Sequence, residues 1–413
     1  MKSSFKYISL ICRIIVGVVF IYSGFVKGVD PLGSTYKFND YFNAFNANWA
    51  TTFSFGLSFV LSLAEFIVGF CILLNLKIKL SSLGAVLFMA IFTPLTLVLA
   101  LTNPVHDCGC FGDALILTNW QTFWKNIVLL IPTIYLFINR KKITSTYSNT
   151  DQWLAITFGT ITMIIVSIYS YQHLPVLDFR PYKVGTHIPE AMTTPEGAPA
   201  DIWESKFIYS KKNREKTFTM KKLPDSTWTF VSAKHELIKK GYEPPIHDFT
   251  IVDNEGTELT DIILSNENYN FLLIAYNLEK ADLSKSKEIN KLYDFCYENG
   301  YPFYALSAST DAAINEYYKS TKASYDFYTT DEITLKTIIR SNPGLLIIKE
   351  GTIIGKWHVN DLPSPEYLGK NILKQTISNY KKTADKYYIY TLILLCSFLI
   401  SSYVLVKQKI KKP

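Results

Sequence analysis

Charge is scarce in this sequence of 413 residues: 19% are Asp, Glu, Lys or Arg, against 48% hydrophobic. That balance excludes an ordinary soluble protein, yet leaves too many charges for a chain wholly embedded in lipid, so a hybrid is expected. No small-residue cleavage site follows the first apolar run, which reads as a retained anchor rather than a signal peptide. No internal repeat or low-complexity tract is apparent. The net charge of +7 is not gathered into a basic patch. Lysines sit at the ends of apolar runs and are scattered elsewhere, so they read as membrane anchoring and orientation, and nucleic acid is not an expected partner. Cysteine is scarce too: there are six, and only Cys108 and Cys110 stand close together.

Long apolar runs are what the sequence has in quantity. A bilayer core needs about 20 apolar residues in a helix. Six segments qualify, at roughly 8–26, 55–76, 83–101, 123–139, 153–171 and 388–406. Lys2 and Lys6, Lys77 and Lys79, Arg140 to Lys142, and Lys407, Lys409, Lys411 and Lys412 all fall on one side if there are six crossings. The positive-inside rule makes that side cytoplasmic. Both termini are then expected inside a cell inner membrane, with the 106–113 loop and the whole 172–385 segment outside.

Five regions follow: a four-helix membrane unit over 1–142, a fifth transmembrane helix over 143–171, a Pro-rich segment with a β-hairpin over 172–243, an α/β domain over 244–385, and a last helix with a basic tail over 386–413. Between the first two apolar runs, Phe38, Tyr41, Phe42, Phe45 and Trp49 recur at helical spacing, which predicts an interfacial helix because no partner helix is near in sequence. The stretch 201–220 alternates about a Lys-Lys-Asn turn and predicts a hairpin. Buried strands are expected at 271–276 and 302–308, a helix over 284–299 with Ile289, Leu292, Tyr293 and Cys296 on one face, and a hairpin about Glu350-Gly351.

Three constellations could carry chemistry. Cys108-Gly109-Cys110 lies in "HDCGCFGD" on the expected outer side, where disulfides form and persist. A disulfide over one intervening residue is strained, and strain makes it oxidising and exchange-prone. A purely structural use of the two thiols stands beside redox exchange. A metal site using His106, Cys108, Cys110 and Asp107 or Asp113 has poor tetrahedral geometry, so no metal is expected. The second constellation is Arg13 and Glu65, charges inside apolar helices that are expected to form a membrane polar pair, although Arg13 could snorkel instead. The third is the outer α/β segment. There Cys296 reads as core and His247 and His358 as satisfied histidines.

The runs "RIIVGVVFIYSGFVKGVDP", "AEFIVG" and "DCGCFGD" resemble the DoxX and MauE group of four-helix membrane proteins, over about the first third of the chain. That resemblance implies a membrane partner in disulfide or redox chemistry. MauE-like proteins are associated with maturation of a periplasmic amine dehydrogenase. The matching positions here are Arg13, Lys27, Glu65, Cys108 and Cys110. Residues 244–360 resemble the thioredoxin-like fold of the TlpA and peroxiredoxin type. "PIHDFTIVDNEG" matches its first strand and turn, and "NPGLLIIKEGTIIGKW" its proline-loop hairpin, with Asn342-Pro343 as the cis bond. Where that fold's Cys-x-x-Cys would follow, this chain reads "NLEKADLSKSKE", so the fold is expected without its chemistry.

The expectation is an α-helical membrane bundle carrying a thioredoxin-like domain. Cys108 and Cys110 would exchange with an envelope protein bearing a thiol or disulfide, docked at Asn342 and Pro343. The rival is a non-enzymatic scaffold that recognises an envelope partner. Cys12, Cys71 and Cys396 lie within membrane helices and offer no outward relay, so a quinone would have to accept the electrons, although no quinone motif is present.

Overall fold

Apolar side chains all round and no water to satisfy the backbone leave helix as the stable state of the long runs. The computed structural model describes residues 2–105, 107–211, 214–220, 222–239 and 241–368. The run at 388–406, the basic tail and Cys396 lie outside the described residues. The helices α1 (Lys2–Val29), α2 (Pro31–Ala44), α3 (Ser54–Leu74), α4 (Ile78–Thr102), α5 (Asn119–Asn139) and α6 (Asn149–Gln172) come first. All but α2 are long and apolar enough to cross a membrane, and the chain is a membrane protein. Local signals set their ends. Thr118 with Gln121 and Ser148 with Asp151 form capping boxes at the starts of α5 and α6.

The helices α1, α3, α4 and α5 pack in a ring, each against the next, and α6 lies outside against α1 and α3. The tightest contact is α1 on α3. A Cβ on Gly24 would lie 2.4 Å from the Phe66 nitrogen, and one on Gly69 would lie 2.6 Å from the Ile21 nitrogen. Small residues let backbones approach in this way, and in lipid such packing replaces the hydrophobic effect as the source of association. The contact fixes the antiparallel register of α1 and α3, on which the site depends.

Helix α2 begins earlier than its aromatic spacing predicts. Asp30 caps it, accepting from the Gly33 amide at 2.9 Å, and Pro31 opens it. It is not an unpartnered interfacial helix. It packs on α3 and on the loop before α5, contacts that lie far away in sequence.

Beyond α6, a short α7 (Ile188–Met192) precedes an antiparallel sheet of β1 (Ile202–Lys211), β2 (Arg214–Thr219) and β3 (Thr229–Lys239), in the order β2-β1-β3. The hairpin is as read from the sequence, and β3 is an addition on its other edge. A second unit follows: α8 (Thr260–Ser265), β4 (Tyr269–Ile274), α9 (Ser286–Glu298), β5 (Phe303–Ser307), α10 (Asp311–Thr321), β6 (Phe327–Thr329), α11 (Glu332–Ile338), β7 (Gly344–Lys349), β8 (Thr352–His358) and α12 (Pro365–Leu368). Its sheet runs β6-β5-β4-β7-β8, with β4, β5 and β6 parallel, β7 antiparallel to β4, and β8 antiparallel to β7. Asn342-Pro343 is cis and immediately precedes β7. This is a thioredoxin-like domain. Leu272, Ile274, Leu346 and Ile348 face Ile251, Ile263 and Ile338 on one side of the sheet. On the other, Phe271, Leu345 and Ile347 face Leu292 and Cys296 of α9.

The domain sits on the bundle through charged and aromatic contacts. Arg340, just before the proline loop, spans Asp30 at 2.9 Å and Asp113 at 3.0 Å. The Tyr36 and Tyr276 hydroxyls meet at 3.0 Å. At the end of α6, His173 meets Asp361 at 2.7 Å, and the Gln172 carbonyl accepts from Asn360 at 2.6 Å. Burial opposes the charge on Arg340, but the two carboxylates outweigh it and hold its pKa above the ordinary arginine value.

Arg340→Met should loosen this seat. Removing one side of a buried ion pair costs about 3–5 kcal/mol, and the half-exposed Asp113 puts this case at the lower end. Hydrogen exchange on the full chain should show protection over α2 falling at least tenfold. Unchanged protection there would mean that Arg340 does not hold the domain on the bundle.

Candidate functional site

The loop from 103 to 118 joins α4 to α5 and carries the two neighbouring cysteines. Its base is tied by Asn119, which donates to the Asn103 side chain at 2.7 Å and to the Val105 carbonyl at 2.9 Å. Asp107 accepts from the Gly109 amide at 2.9 Å and pairs with Lys37. Gly109 has φ +64, and a Cβ there would lie 3.0 Å from Lys37 Cγ, so both the backbone and the space favour glycine. The Cys108 carbonyl accepts from the Tyr41 hydroxyl. Lys37 and Tyr41 are one turn apart on α2, so a single helix face clamps the loop. Ser23 Oγ lies 2.8 Å from the Cys110 carbonyl oxygen and 2.9 Å from Glu65 Oε2, so its one proton serves either.

Both cysteines are free, with sulfurs 2.8 Å apart. Cys110 is held below the ordinary thiol pKa, first by the hydrogen bond from Cys108 and then by the ammonium groups of Lys125 and Lys27, which together outweigh burial. Cys108 moves the other way, as the partner that keeps the shared proton and is itself buried. The two sulfurs are thus shifted in opposite directions, and Cys110 is the one whose surroundings favour the thiolate. Lys125 lies over the Phe111 ring, 4.4 Å from its centroid, and has no acidic partner among the described residues.

Beneath the loop is a cavity of about 80 Å³ inside the helical ring. Both cysteines line it, with Lys27, Glu65, Lys125 and Asn126 among its polar groups. Lys27 and Glu65 form an ion pair at 2.6 Å, with side chains 10% and 7% exposed.

This corrects the expected pairing of Glu65 with Arg13. Arg13 donates to the Ile72 carbonyl at 2.9 Å and the Leu73 carbonyl at 2.7 Å, so it caps α3 instead. Those carbonyls lie seven and eight residues beyond Glu65, about 10–12 Å along the helix. The glycine-set register places Lys27, not Arg13, beside Glu65.

The proline loop, expected to dock a partner at Asn342 and Pro343, is itself largely covered. Pro343 is buried, and Asn342 donates its side-chain amide to the Asn277 carbonyl at 2.7 Å. The neighbouring Tyr276 and Arg340 are engaged with the bundle. Cys296 is fully buried on the α9 face, and burial pushes its thiol up. His358 is buried, its Nδ1 accepting from the Asn360 amide at 3.1 Å, while His247 is exposed. His106 lies outside the described residues. Among the described residues, no cluster of His, Cys, Asp and Glu could hold a metal ion.

Ser23, Lys37, Tyr41 and Lys125 escaped sequence reasoning, as did Arg340. The i, i+4 spacing of Lys37 and Tyr41 was the one available signal, and it needed the loop's position to have meaning.

Comparison with known proteins finds matches to separate parts of the chain. Residues 5–139 match the family model of methylamine utilisation protein MauE, and residues 203–240 match a domain of unknown function (DUF8463). No curated protein matches the chain. Among solved structures, a candidate protein disulfide isomerase from Bacteroides thetaiotaomicron is similar at 13% identity, with a TM-score of 0.25, over 33% of this chain and 91% of that one. The thioredoxin-like assignment rests on strand order, not on that similarity.

The thiolate assignment makes a pH-dependent prediction. Reactive thiolate is lost as pH falls through the Cys110 pKa, so a lowered value keeps Cys110 reactive below the ordinary thiol range. Lys125→Met removes a charge that favours the thiolate, so the midpoint should move up. Alkylation of the Cys108→Ser protein should slow several-fold on adding Lys125→Met at pH 6, and match at pH 9.5. Equal rates at pH 6 would remove Lys125 from the account.

Proposed function

We propose that this membrane protein exchanges disulfides with an envelope protein through Cys108 and Cys110. The carrying observation is the pair of free thiols 2.8 Å apart on a clamped loop, with two ammonium groups beside Cys110. The MauE match over the helices that build the site supports the same reading.

The geometry favours one order of events. In the oxidised pair, the better leaving group is the sulfur that is more stable as a thiolate, which is Cys110. A partner thiolate then attacks the Cys108 sulfur. The Cys108–Cys110 bond breaks, a partner–Cys108 bond forms, and Cys110 leaves as thiolate beside Lys125 and Lys27. The partner's second thiolate attacks the partner sulfur of the mixed disulfide and expels Cys108. The partner departs with a disulfide, and Cys108 and Cys110 are left reduced.

In this proposal the thioredoxin-like domain acts by binding. It has no dithiol among 277–288, and its proline-loop side rests on α2 and the loop rather than offering Asn342 and Pro343 to solvent. An envelope protein would reach the thiols by displacing that contact. A second reading, a scaffold with structural cysteines, draws on one observation: Cys108 is only 8% exposed. The membrane is proposed to be the cell's inner membrane, with the loop and the 172–385 segment on its outer side and both termini inside, on the distribution of Lys and Arg.

Two outcomes are expected. Protease added outside spheroplasts should cut within 172–385 and spare the 407–413 tail, whereas the reverse pattern would refute the orientation and with it the oxidising surroundings of the loop. In intact cells, Cys110→Ser should accumulate a mixed disulfide through Cys108, and Cys108→Ser should trap markedly less. If neither variant captures a protein and the wild-type pair stays reduced under mild oxidant, the scaffold reading holds.

A further inference from the structure

If Cys108 and Cys110 oxidise a partner, two electrons must then leave the reduced pair. Among the described residues no other thiol is placed to take them. Cys296 is buried in the α9 core, and Cys12 and Cys71 lie inside membrane helices, toward the ends away from the loop. With no relay thiol among the described residues, an acceptor from outside the chain is the simplest route for the electrons.

The cavity beneath the loop offers such a route. It lies in the loop-side half of the bundle among mostly apolar walls, which suits an occupant soluble in lipid. Its walls are apolar and aromatic: Phe20, Leu61, Met89, Phe92 and Leu129 come from all four ring helices, and Phe38 of α2 closes it above. At about 10–15 Å³ per water on this measure, its 80 Å³ is room for roughly six waters. That is the space of one substituted ring. It is too small for a peptide. A purely structural core would fill such a space with side chains.

The polar groups are few and convergent, the pattern of a small-molecule site. Lys125 carries a positive charge with no acidic partner among the described residues. Asn126 donates to Thr96 Oγ1 at 3.1 Å, which fixes its side chain at the cavity wall. The Lys27–Glu65 pair touches Ser23 at 2.9 Å, and Ser23 in turn reaches the Cys110 carbonyl oxygen. These groups can donate hydrogen bonds to the carbonyl oxygens of a ring and carry protons to them.

We propose that this cavity binds the head group of a lipid-soluble quinone, which reoxidises Cys108 and Cys110. The proposal rests on the exchange reading above and names its electron acceptor. Two thiols lose two electrons and two protons, and one sulfur–sulfur bond forms. The quinone gains both electrons and both protons, and its two carbonyls become hydroxyls. The hydroquinone leaves through the lipid.

The test uses the full chain in nanodiscs, with decylubiquinone as the probe. Protein reduced with dithiothreitol and then desalted should consume one decylubiquinone per Cys108–Cys110 pair, with the two thiols disappearing from alkylation in step. Binding is read separately on the Cys108→Ser, Cys110→Ser double variant, by equilibrium partition of the same quinone above the level of empty nanodiscs. Leu61→Trp fills the cavity without touching either cysteine. It should slow thiol oxidation by quinone and weaken quinone binding at least tenfold, while leaving exchange with an added disulfide unchanged. Leu95→Trp serves as a second filler if the first fails to fold by thermal melt. Should the wild-type pair exchange with a disulfide yet neither reduce nor bind decylubiquinone, the quinone proposal is overturned and the exchange reading stands. If the pair neither exchanges nor oxidises while the double variant still binds quinone in a Leu61-dependent manner, the site stands as a binding site and the exchange reading falls.

Discussion

The ion pair between Lys27 and Glu65 is the constraint around which the membrane part is arranged. A single charge at the centre of a membrane helix costs about 2.5–3.5 kcal/mol on insertion scales. Two opposite charges at 2.6 Å offset that cost only if the helices bearing them are held in register. The register is set by backbone contact at Gly24 and Gly69, where any side chain would collide. Once α1 and α3 are locked, Ser23 is fixed beside Glu65, and the Cys110 carbonyl is fixed by Ser23. The loop is thus anchored from below by a membrane ion pair, although it lies outside the spans.

From above it is anchored by α2, whose Lys37 and Tyr41 hold Asp107 and the Cys108 carbonyl. The thioredoxin-like domain holds α2 in turn, through Tyr276 on Tyr36 and through Arg340 on Asp30 at the α2 cap. Arg340 also takes Asp113, the last residue of the CGCFGD run, so one guanidinium joins the domain, the helix cap and the cysteine loop. A domain without a dithiol at 277–288 still has a physical task here. It sets how firmly another part of the same chain presents a pair of thiols.

The asymmetry of that pair follows from its surroundings. Two cysteines separated by one glycine are chemically alike in the sequence. In the fold, Cys110 lies near Lys125 and Lys27, which favour its thiolate, while burial and its partner raise Cys108. Asymmetry of this kind gives an exchange reaction its direction, because attack and departure then fall on different sulfurs.

Much of the architecture was legible from residue order. The apolar runs named the five described membrane helices, alternation named the β1–β2 hairpin, and continuous apolar strands bounded by turns named β4 and the β7–β8 hairpin. Asn342-Pro343 was recognisable by the resemblance of its stretch to a thioredoxin-like proline loop, and the cysteine pair by its spacing. These features are local, because hydrogen bonding within a helix and side-chain alternation along a strand depend on neighbours in the chain. The tertiary structure alone decided which charges meet. Glu65 pairs with Lys27 instead of Arg13 because two helices approach at particular glycines. It decided that α2 is a clamp and not a free surface helix, because its partners are a loop some 70 residues away and a domain some 240 to 310 residues away. Such contacts depend on distances that only close packing sets, and residue order carries no periodic trace of them.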